Sequence, residues 1–254
     1  MTRLAVTGAG GHMGREVLAA AADRDDVDVA FAVNRTPVDD APGGVTVADE
    51  ADLAALLAEH DPDALVDFTV PEASVRYVAA CAEAGVPAVV GTTGFDDADR
   101  ERLDAAAERV PVLVASNFSR GVAALRRAVR EAVAALPTYD AEVTETHHNR
   151  KRDAPSGTAN TLLDDVDAAR GEAADRVHGR EGDQPREAGE VGVHARRAGD
   201  VTGEHEVMLA GNREVLELTH RAESRGVFAA GAVDAATWLA GRDPGRYDFT
   251  EVLE

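Results

Sequence analysis

The chain has 254 residues, long enough for one large domain or two smaller ones. Its net charge of −21 excludes a general electrostatic hold on nucleic acid, and no apolar run reaches the length of a membrane span. Cys81 is the only cysteine, which excludes an internal disulfide, and no signal-peptide pattern follows Met1, so a soluble cytoplasmic protein is expected.

The excess of acids, with lysine almost absent, reads in two ways. One is adaptation to high salt, where screening blunts self-repulsion. The other is a high-GC genome whose codons favour Arg, Ala and Asp.

In chain order, Arg3 to Thr7 is a short apolar strand pattern. Gly8-Ala9-Gly10-Gly11-His12-Met13-Gly14 follows, then a helical pattern through Val17, Leu18 and Ala21. Strand, glycine turn and helix form the context of a dinucleotide-binding turn, although Met13 stands where G-x-G-x-x-G has its last glycine. Val27 to Val33 is a second strand ending at Asn34-Arg35, where an acid would bind the ribose 2′-hydroxyl of NAD. A neutral amide followed by a guanidinium repels no 2′-phosphate, so NADPH is favoured without excluding NADH.

Ala48 to Glu59 reads as a helix, Ala64 to Phe68 as a buried strand, and Pro71 to Ala84 as a helix that proline opens and Gly85 stops. Ala88 to Val90 is a strand leading to Gly91-Thr92-Thr93-Gly94; Asp96 to Arg109 is a helix; Val112 to Ala115 is a strand leading to Ser116-Asn117-Phe118-Ser119. This alternation predicts an α/β fold, a doubly wound parallel sheet covered on both faces. The turns after its strands, at Asp67–Thr69, Gly91–Thr93 and Ala115–Phe118, are expected to line a cofactor crevice. Cys81 lies in an Ala-rich helical pattern and is expected to be a small buried residue.

From Gly121 a helix runs to Leu136, and then the pattern changes. Tyr139 to Thr146 is a strand delivering His147 and His148. Thr158 to Arg170 is a helix, Gly171 to Gly189 a polar mobile loop, and Glu190–Arg197, His205–Leu209 and Glu214–His220 are successive strands. Strands in succession predict a second α+β domain on a mixed or antiparallel sheet. Gly226 to Leu239 is a last helix.

The chemistry concentrates between Glu145 and Ala159, which holds both adjacent histidines and Lys151, the only lysine in the chain. A lysine can release a proton where an arginine cannot. Ser156 is a good N-cap for a helix from Gly157, whose free N–H groups can hold a carboxylate or phosphate. Adjacent residues on a strand point to opposite faces, and the chain has no H-x-x-x-H, so no metal site is expected at the His pair. His148 also suits a satisfied buried imidazole, and His205 and His220 are expected to be structural.

Glu145 to Ala159 reads E-x-H-H-x-x-K-x-D-A-P-S-G-T-A, and this resembles the signature of the dihydrodipicolinate reductase family. The resemblance covers nearly the whole chain, through G-A-G-G-x-M-G at Gly8, D-F-T at Asp67, G-T-T-G-F at Gly91, N-F-S-x-G-V at Asn117, R-A-G-D-x-x-G-E-H at Arg197 and F-A-x-G-A-V at Phe228. It implies a Rossmann-like cofactor domain, residues 1–120 completed by 223–254, and a substrate and oligomerisation domain at 121–222 that pairs into a homotetramer. It implies reduction of 4-hydroxy-tetrahydrodipicolinate, a small cyclic dicarboxylate of lysine and diaminopimelate biosynthesis. His147 would donate or accept a proton and Lys151 would donate one. His148, Ser156, Gly157 and Thr158 would contact substrate. Gly8, Ala9, Gly10, Gly11, His12, Met13, Arg35, Gly91, Thr92, Thr93, Ala115, Ser116, Asn117 and Phe118 would hold NADPH or NADH.

Two departures are visible: Asn34 stands where an acid can sit, and Arg120 where an aliphatic residue is expected, for which the sequence alone offers no reason. The competing readings are another two-domain dehydrogenase, which would not need the Lys151 and Ser-Gly-Thr constellation, and a non-catalytic NAD(P)H-sensing protein, in which Lys151 would be dispensable.

Overall fold

The computed structural model describes residues 1–36 and 38–253. They divide into two compact units, Met1–Arg120 with Arg225–Glu254, and Gly121–Ser224.

The first unit opens with β1 (Thr2–Thr7), α1 (His12–Ala22), β2 (Val27–Asn34) and β3 (Val47–Asp49). It continues with α2 (Leu53–His60), β4 (Ala64–Asp67), α3 (Pro71–Ala84), β5 (Ala88–Val90), α4 (Asp97–Ala107) and β6 (Pro111–Val114). Local chemistry sets the ends of its helices. Pro71 opens α3, and Gly85, at φ 76°, closes it in the left-handed conformation that glycine adopts without steric cost. The side chain of Asp96 accepts the N–H of Asp99 at 2.8 Å and so caps α4.

The helix expected over Ala48 to Glu59 begins later than predicted. Val47–Asp49 is an edge strand paired in parallel with Ala32–Asn34, and a 3-10 turn at Glu50–Asp52 separates it from α2. Asp49 accepts the N–H of Ala51 at 2.9 Å, a local cap that stops helix from propagating back into the strand.

The second unit holds α5 (Arg120–Ala135) apart from its first residue, Arg120, and β7 (Asp140–His147), α6 (Gly157–Arg170), β8 (Arg176–His178), β9 (Val191–Arg197), β10 (Gly203–Gly211) and β11 (Glu214–Ala222). Its sheet has the order β11-β10-β7-β9-β8 and is mixed: β10 is antiparallel to β7 and β11, while β7–β9 and β8–β9 are parallel. Alternate residues of β7, β9 and β10 pack on α5 and α6 in a core built from Val143, Val193, Val207, Leu162 and Val166. Each fully buried aliphatic side chain of this kind contributes about 1.5–3 kcal/mol. The polar segment read as a mobile loop between Gly171 and Gly189 contains β8, whose Arg176 binds Asp164 at 2.9 Å and Asp167 at 3.2 Å on α6.

The chain returns to the first unit with α7 (Gly226–Leu239) and β12 (Gly245–Tyr247). β12 pairs in parallel with β6 and completes a seven-stranded sheet, β12-β6-β5-β4-β1-β2-β3, parallel throughout. Its central strands are apolar on both faces, as a sheet covered by helices on each side requires. The fold is thus the α/β, Rossmann-like parallel sheet with a second α+β unit on a mixed sheet.

Arg120 acquires a reason. Its Nη2 lies 2.9 Å from Oδ2 of Asp234 on α7, and Arg24 Nη1 lies 2.6 Å from the other oxygen of that carboxylate. Two cations from distant parts of the chain share one largely buried acid. Among the described residues no helix is long and apolar enough to cross a membrane.

Candidate active site

In the first unit β1 lies between β4 and β2, the point where strand order reverses and an open parallel sheet leaves a crevice at its carboxyl ends. The glycine turn sits there. Gly8 has φ 69°, and a Cβ on Gly14 would lie 2.1 Å from the carbonyl oxygen of Gly8, so backbone alone fits between β1 and α1. The N-cap of α1 is Gly11, with no side-chain cap, which leaves the first-turn N–H groups to a ligand such as a pyrophosphate. A cleft of about 510 Å³ opens beside them, lined by Gly8, Gly11, Asn34, Arg35, Thr36 and Thr69 among others. These features fit a dinucleotide.

Asn34 does more than end β2. Its Oδ1 accepts the N–H of Gly10 at 3.2 Å and its Nδ2 donates to the carbonyl of Thr36 at 2.7 Å, pinning the glycine turn to the strand end. Arg35 is exposed beside it.

Beneath the crevice lies Asp67, fully buried. Its Oδ1 accepts from the hydroxyls of Thr7 at 2.6 Å and Thr69 at 2.7 Å; its Oδ2 accepts from Ser74 at 2.6 Å and Thr92 at 2.8 Å. Thr92 Oγ1 also accepts the N–H of Thr69 at 2.9 Å. One carboxylate therefore ties together the turns that follow β1, β4 and β5. Thr92 is spent on this network, and Ala9 and Phe118 are buried, Phe118 with its ring between Phe68 and Phe249. Of the residues expected to hold the cofactor, these three offer backbone rather than side chain.

In the second unit the centre is the end of β7. Glu145 and His147, two apart on one strand, face the same side. Glu145 is 1% exposed and has all its lone-pair directions used. Its Oε1 accepts from Arg197 Nη2 at 2.7 Å and from the N–H of Ser156 at 3.1 Å; its Oε2 accepts from Arg197 Nη1 at 2.8 Å and meets His147 Nδ1 at 2.5 Å. Burial pushes the Glu145 carboxyl upward, but the hydrogen bonds from Arg197 and His147 outweigh it and hold it below the usual range. Burial lowers the imidazole of His147, opposed by Glu145 and reinforced by the charges of Lys151 and Arg197.

The ring of His147 meets that of His205 edge-on, 5.1 Å between centroids. His205 is buried, and burial together with the neighbouring His147 pushes it down to about 4. Lys151 binds Asp153 through both oxygens, at 2.8 and 3.0 Å, so the only lysine arrives already paired. Burial raises the Asp153 carboxyl, and the hydrogen bond and charge of Lys151 more than reverse that.

Ser156 caps α6 as its position predicts, accepting the N–H of Ala159 at 3.2 Å, and its hydroxyl also meets His205 Nε2 at 3.1 Å. It is buried and fully engaged, so the exposed face of this helix end belongs to Gly157. His148 is half-buried, and its Nδ1 has no hydrogen-bond partner.

The structure thus gathers His147, Lys151, Ser156, Gly157 and Thr158 at the joined ends of β7 and α6. Sequence reasoning passed over Glu145 and Arg197 as site residues, and placed Asp67 at the crevice without its role as the buried tie between turns. A signal existed for Glu145, since an acid two before a histidine on a strand shares its face. Arg197 was marked only as the start of a family motif, and its contact with Glu145 arises from the pairing of β7 with β9.

Two family models cover the chain, "Dihydrodipicolinate reductase, N-terminus" over residues 2–118 and "Dihydrodipicolinate reductase, C-terminus" over residues 121–253. The chain is 56% identical over 254 residues, all of both proteins, to a 4-hydroxy-tetrahydrodipicolinate reductase of Haloarcula marismortui. It is 58% identical over 248 residues, 98% of each, to the protein of that name from Natronomonas pharaonis. Among solved structures it is similar to a dipicolinate-bound dihydrodipicolinate reductase from Paenisporosarcina sp. TG-14, with a TM-score of 0.81, 22% identity, and coverage of 98% of this chain and 97% of that one.

Proposed function

The chain belongs to the dihydrodipicolinate reductase family, and from that premise we propose that it reduces 4-hydroxy-tetrahydrodipicolinate to tetrahydrodipicolinate in lysine and diaminopimelate biosynthesis. It is an NAD(P)H-dependent oxidoreductase. The observation that carries the reading of its site is the cluster at the end of β7. There an imidazole fixed through one nitrogen stands within electrostatic reach of the only lysine and beside the N-terminus of α6.

When bound, the cofactor supplies hydride. Residues 1–120 and 223–254 form the domain that holds it, with the glycine turn and the α1 N-terminus taking the pyrophosphate and Arg35 facing the ribose. NADPH is favoured and NADH is accepted, because Asn34 carries no charge to repel a 2′-phosphate.

Residues 121–222 form the substrate domain. The dipicolinate held by the Paenisporosarcina relative supports a small ring dicarboxylate as ligand. The N–H groups of Gly157 and Thr158 and the half-buried ring of His148 take its carboxylates, and Ser156 acts as the cap that sets them in place. The 4-hydroxyl first leaves as water, and hydride is then accepted at the carbon conjugated to the imine. As negative charge develops on the ring nitrogen, Lys151 turns from Asp153 and donates its proton to that nitrogen. His147 exchanges its proton through Nε2, since Nδ1 is committed to Glu145. The reading includes a cytoplasmic homotetramer joined through the five-stranded sheet. Its support is the half-buried face opposite the α6 core, where Met208 and Ala210 lie beside Glu142, Thr144, Thr146 and Glu206.

The test is a coupled assay in which a synthase, pyruvate and aspartate semialdehyde generate the substrate and NADPH absorbance is followed. Loss of absorbance that depends on all components supports the assignment. Cofactor binding without turnover would point instead to the sensing role.

A further inference from the structure

We infer that Glu145 is a positioning residue for this reaction: locked in place by Arg197, it sets the ring of His147, the start of α6 and the Lys151 loop with a single buried carboxylate. The inference rests on the proposed roles of His147 and Lys151 and adds to them the part that holds them in register.

The geometry has three arms. The first is Oε2 to His147 Nδ1 at 2.5 Å. A carboxylate can only accept, so in the neutral ring the proton sits on Nδ1 and the lone pair on Nε2. The second is Oε1 to the N–H of Ser156 at 3.1 Å, which fixes the residue immediately before the exposed helix end. The third runs through the guanidinium. Arg197 holds both carboxylate oxygens and its Nη2 also donates to the carbonyl of Asp153 at 2.6 Å, while the side chain of Asp153 holds Lys151.

An ion pair this deeply buried adds little net stability, because desolvation offsets the attraction. Tying β7 to β9 is therefore a weak reason for it, since the strands are already paired along their length from Ala141 to His147. What the pair uniquely supplies is orientation at His147, Ser156 and Asp153, which are the residues next to or within the proposed chemistry.

The charged and titratable groups facing His147 are Glu145 on its own strand, Arg197 from β9, His205 from β10 and Lys151 from the loop that follows. Of these Glu145 alone favours the protonated ring. Glu145→Gln removes that influence and leaves the tautomer unspecified.

The experiment measures kcat, KM and the pH profile of Glu145→Gln and His147→Ala, with NADPH binding and thermal melting as folding controls. The expected result for Glu145→Gln is a fall in kcat of about 10²-fold or more, as when a supporting carboxylate is lost from a histidine-based site. The pH limb assigned to His147 should move to lower pH while NADPH binding stays unchanged. A merely structural role would lower the melting temperature and leave that limb where it was, which overturns the inference. Near-normal kcat in Glu145→Gln together with a crippled His147→Ala also overturns it. Near-normal kcat in both variants instead removes His147 from the reaction and sinks the reading beneath. Should Glu145→Gln fail to fold, ¹⁵N NMR of histidine-labelled wild type decides. A neutral His147 protonated on Nδ1 supports the inference, and one protonated on Nε2 contradicts it.

Discussion

The hydroxyl of Ser156 and Nε2 of His205 lie 3.1 Å apart in a setting where neither side chain reaches solvent. The same hydroxyl accepts the N–H of Ala159, so the helix that presents Gly157 and Thr158 is braced from behind by a neutral imidazole.

That neutrality carries a pH dependence. His205 is depressed to about 4 in the folded protein by burial and by the nearby His147, against about 6.5 in an unfolded chain. Above the unfolded value both states carry the neutral ring. As pH falls from about 6.5 toward about 4 the unfolded state takes up a proton that the folded state refuses, and stability is lost. Between pH 7 and pH 5 the loss from this one group is about 2 kcal/mol. His147 and His220 are also depressed and act in the same direction. The comparison of wild type with His205→Gln therefore isolates the contribution. Urea midpoints at the two pH values should fall less in the variant, and equal falls would remove His205 as the source.

On the proposed reading, cofactor choice is set at the end of β2. Asn34 offers no charge to a 2′-phosphate and Arg35 offers a positive one, so NADPH should be used at least as well as NADH. Glu50 also lines the cleft, but its carboxylate is engaged by Tyr77 and lies 3.6 Å from Arg76. Asn34→Asp should shift preference to NADH. It should also weaken both cofactors somewhat, because an acceptor-only side chain loses the bond to the carbonyl of Thr36. Wild-type turnover strong with NADH and negligible with NADPH would show this reading of the strand end to be wrong.

Much of this is legible in the sequence. The parallel sheet followed from strand and helix alternation, and the cap at Ser156 from a residue type at a helix start. What escaped notice depends on partners distant in sequence. β3 and β12 are three-residue edge strands that exist because β2 and β6 have free edges, and nothing in Val47–Asp49 or Gly245–Tyr247 outweighs its polar neighbours. Arg120 looked misplaced until Asp234 arrived from the far end of the chain. In the site, residue types announced His147 and Lys151. The side chains that hold them, Glu145 with Arg197 for His147 and Asp153 for Lys151, became visible only once the strands were paired and the loop folded back.

The charge of −21 yields a test on salt. If the acids were selected for high ionic strength, folding should weaken as KCl is removed and their repulsion goes unscreened. Melting temperature should then climb with KCl from dilute buffer upward. A flat response would leave codon usage as the reason for the composition.

The central claim is that this reductase draws a proton from its only lysine, and Lys151→Arg tests it most directly. Arginine keeps the charge and can still pair with Asp153, but guanidinium is too weak an acid to release the proton. Turnover in the NADPH-linked assay should fall by roughly two to four orders of magnitude, the usual worth of general acid catalysis, while NADPH affinity stays as it was. Turnover close to wild type would contradict the account, reducing Lys151 to a neutralising charge and leaving the proton to His147 or water.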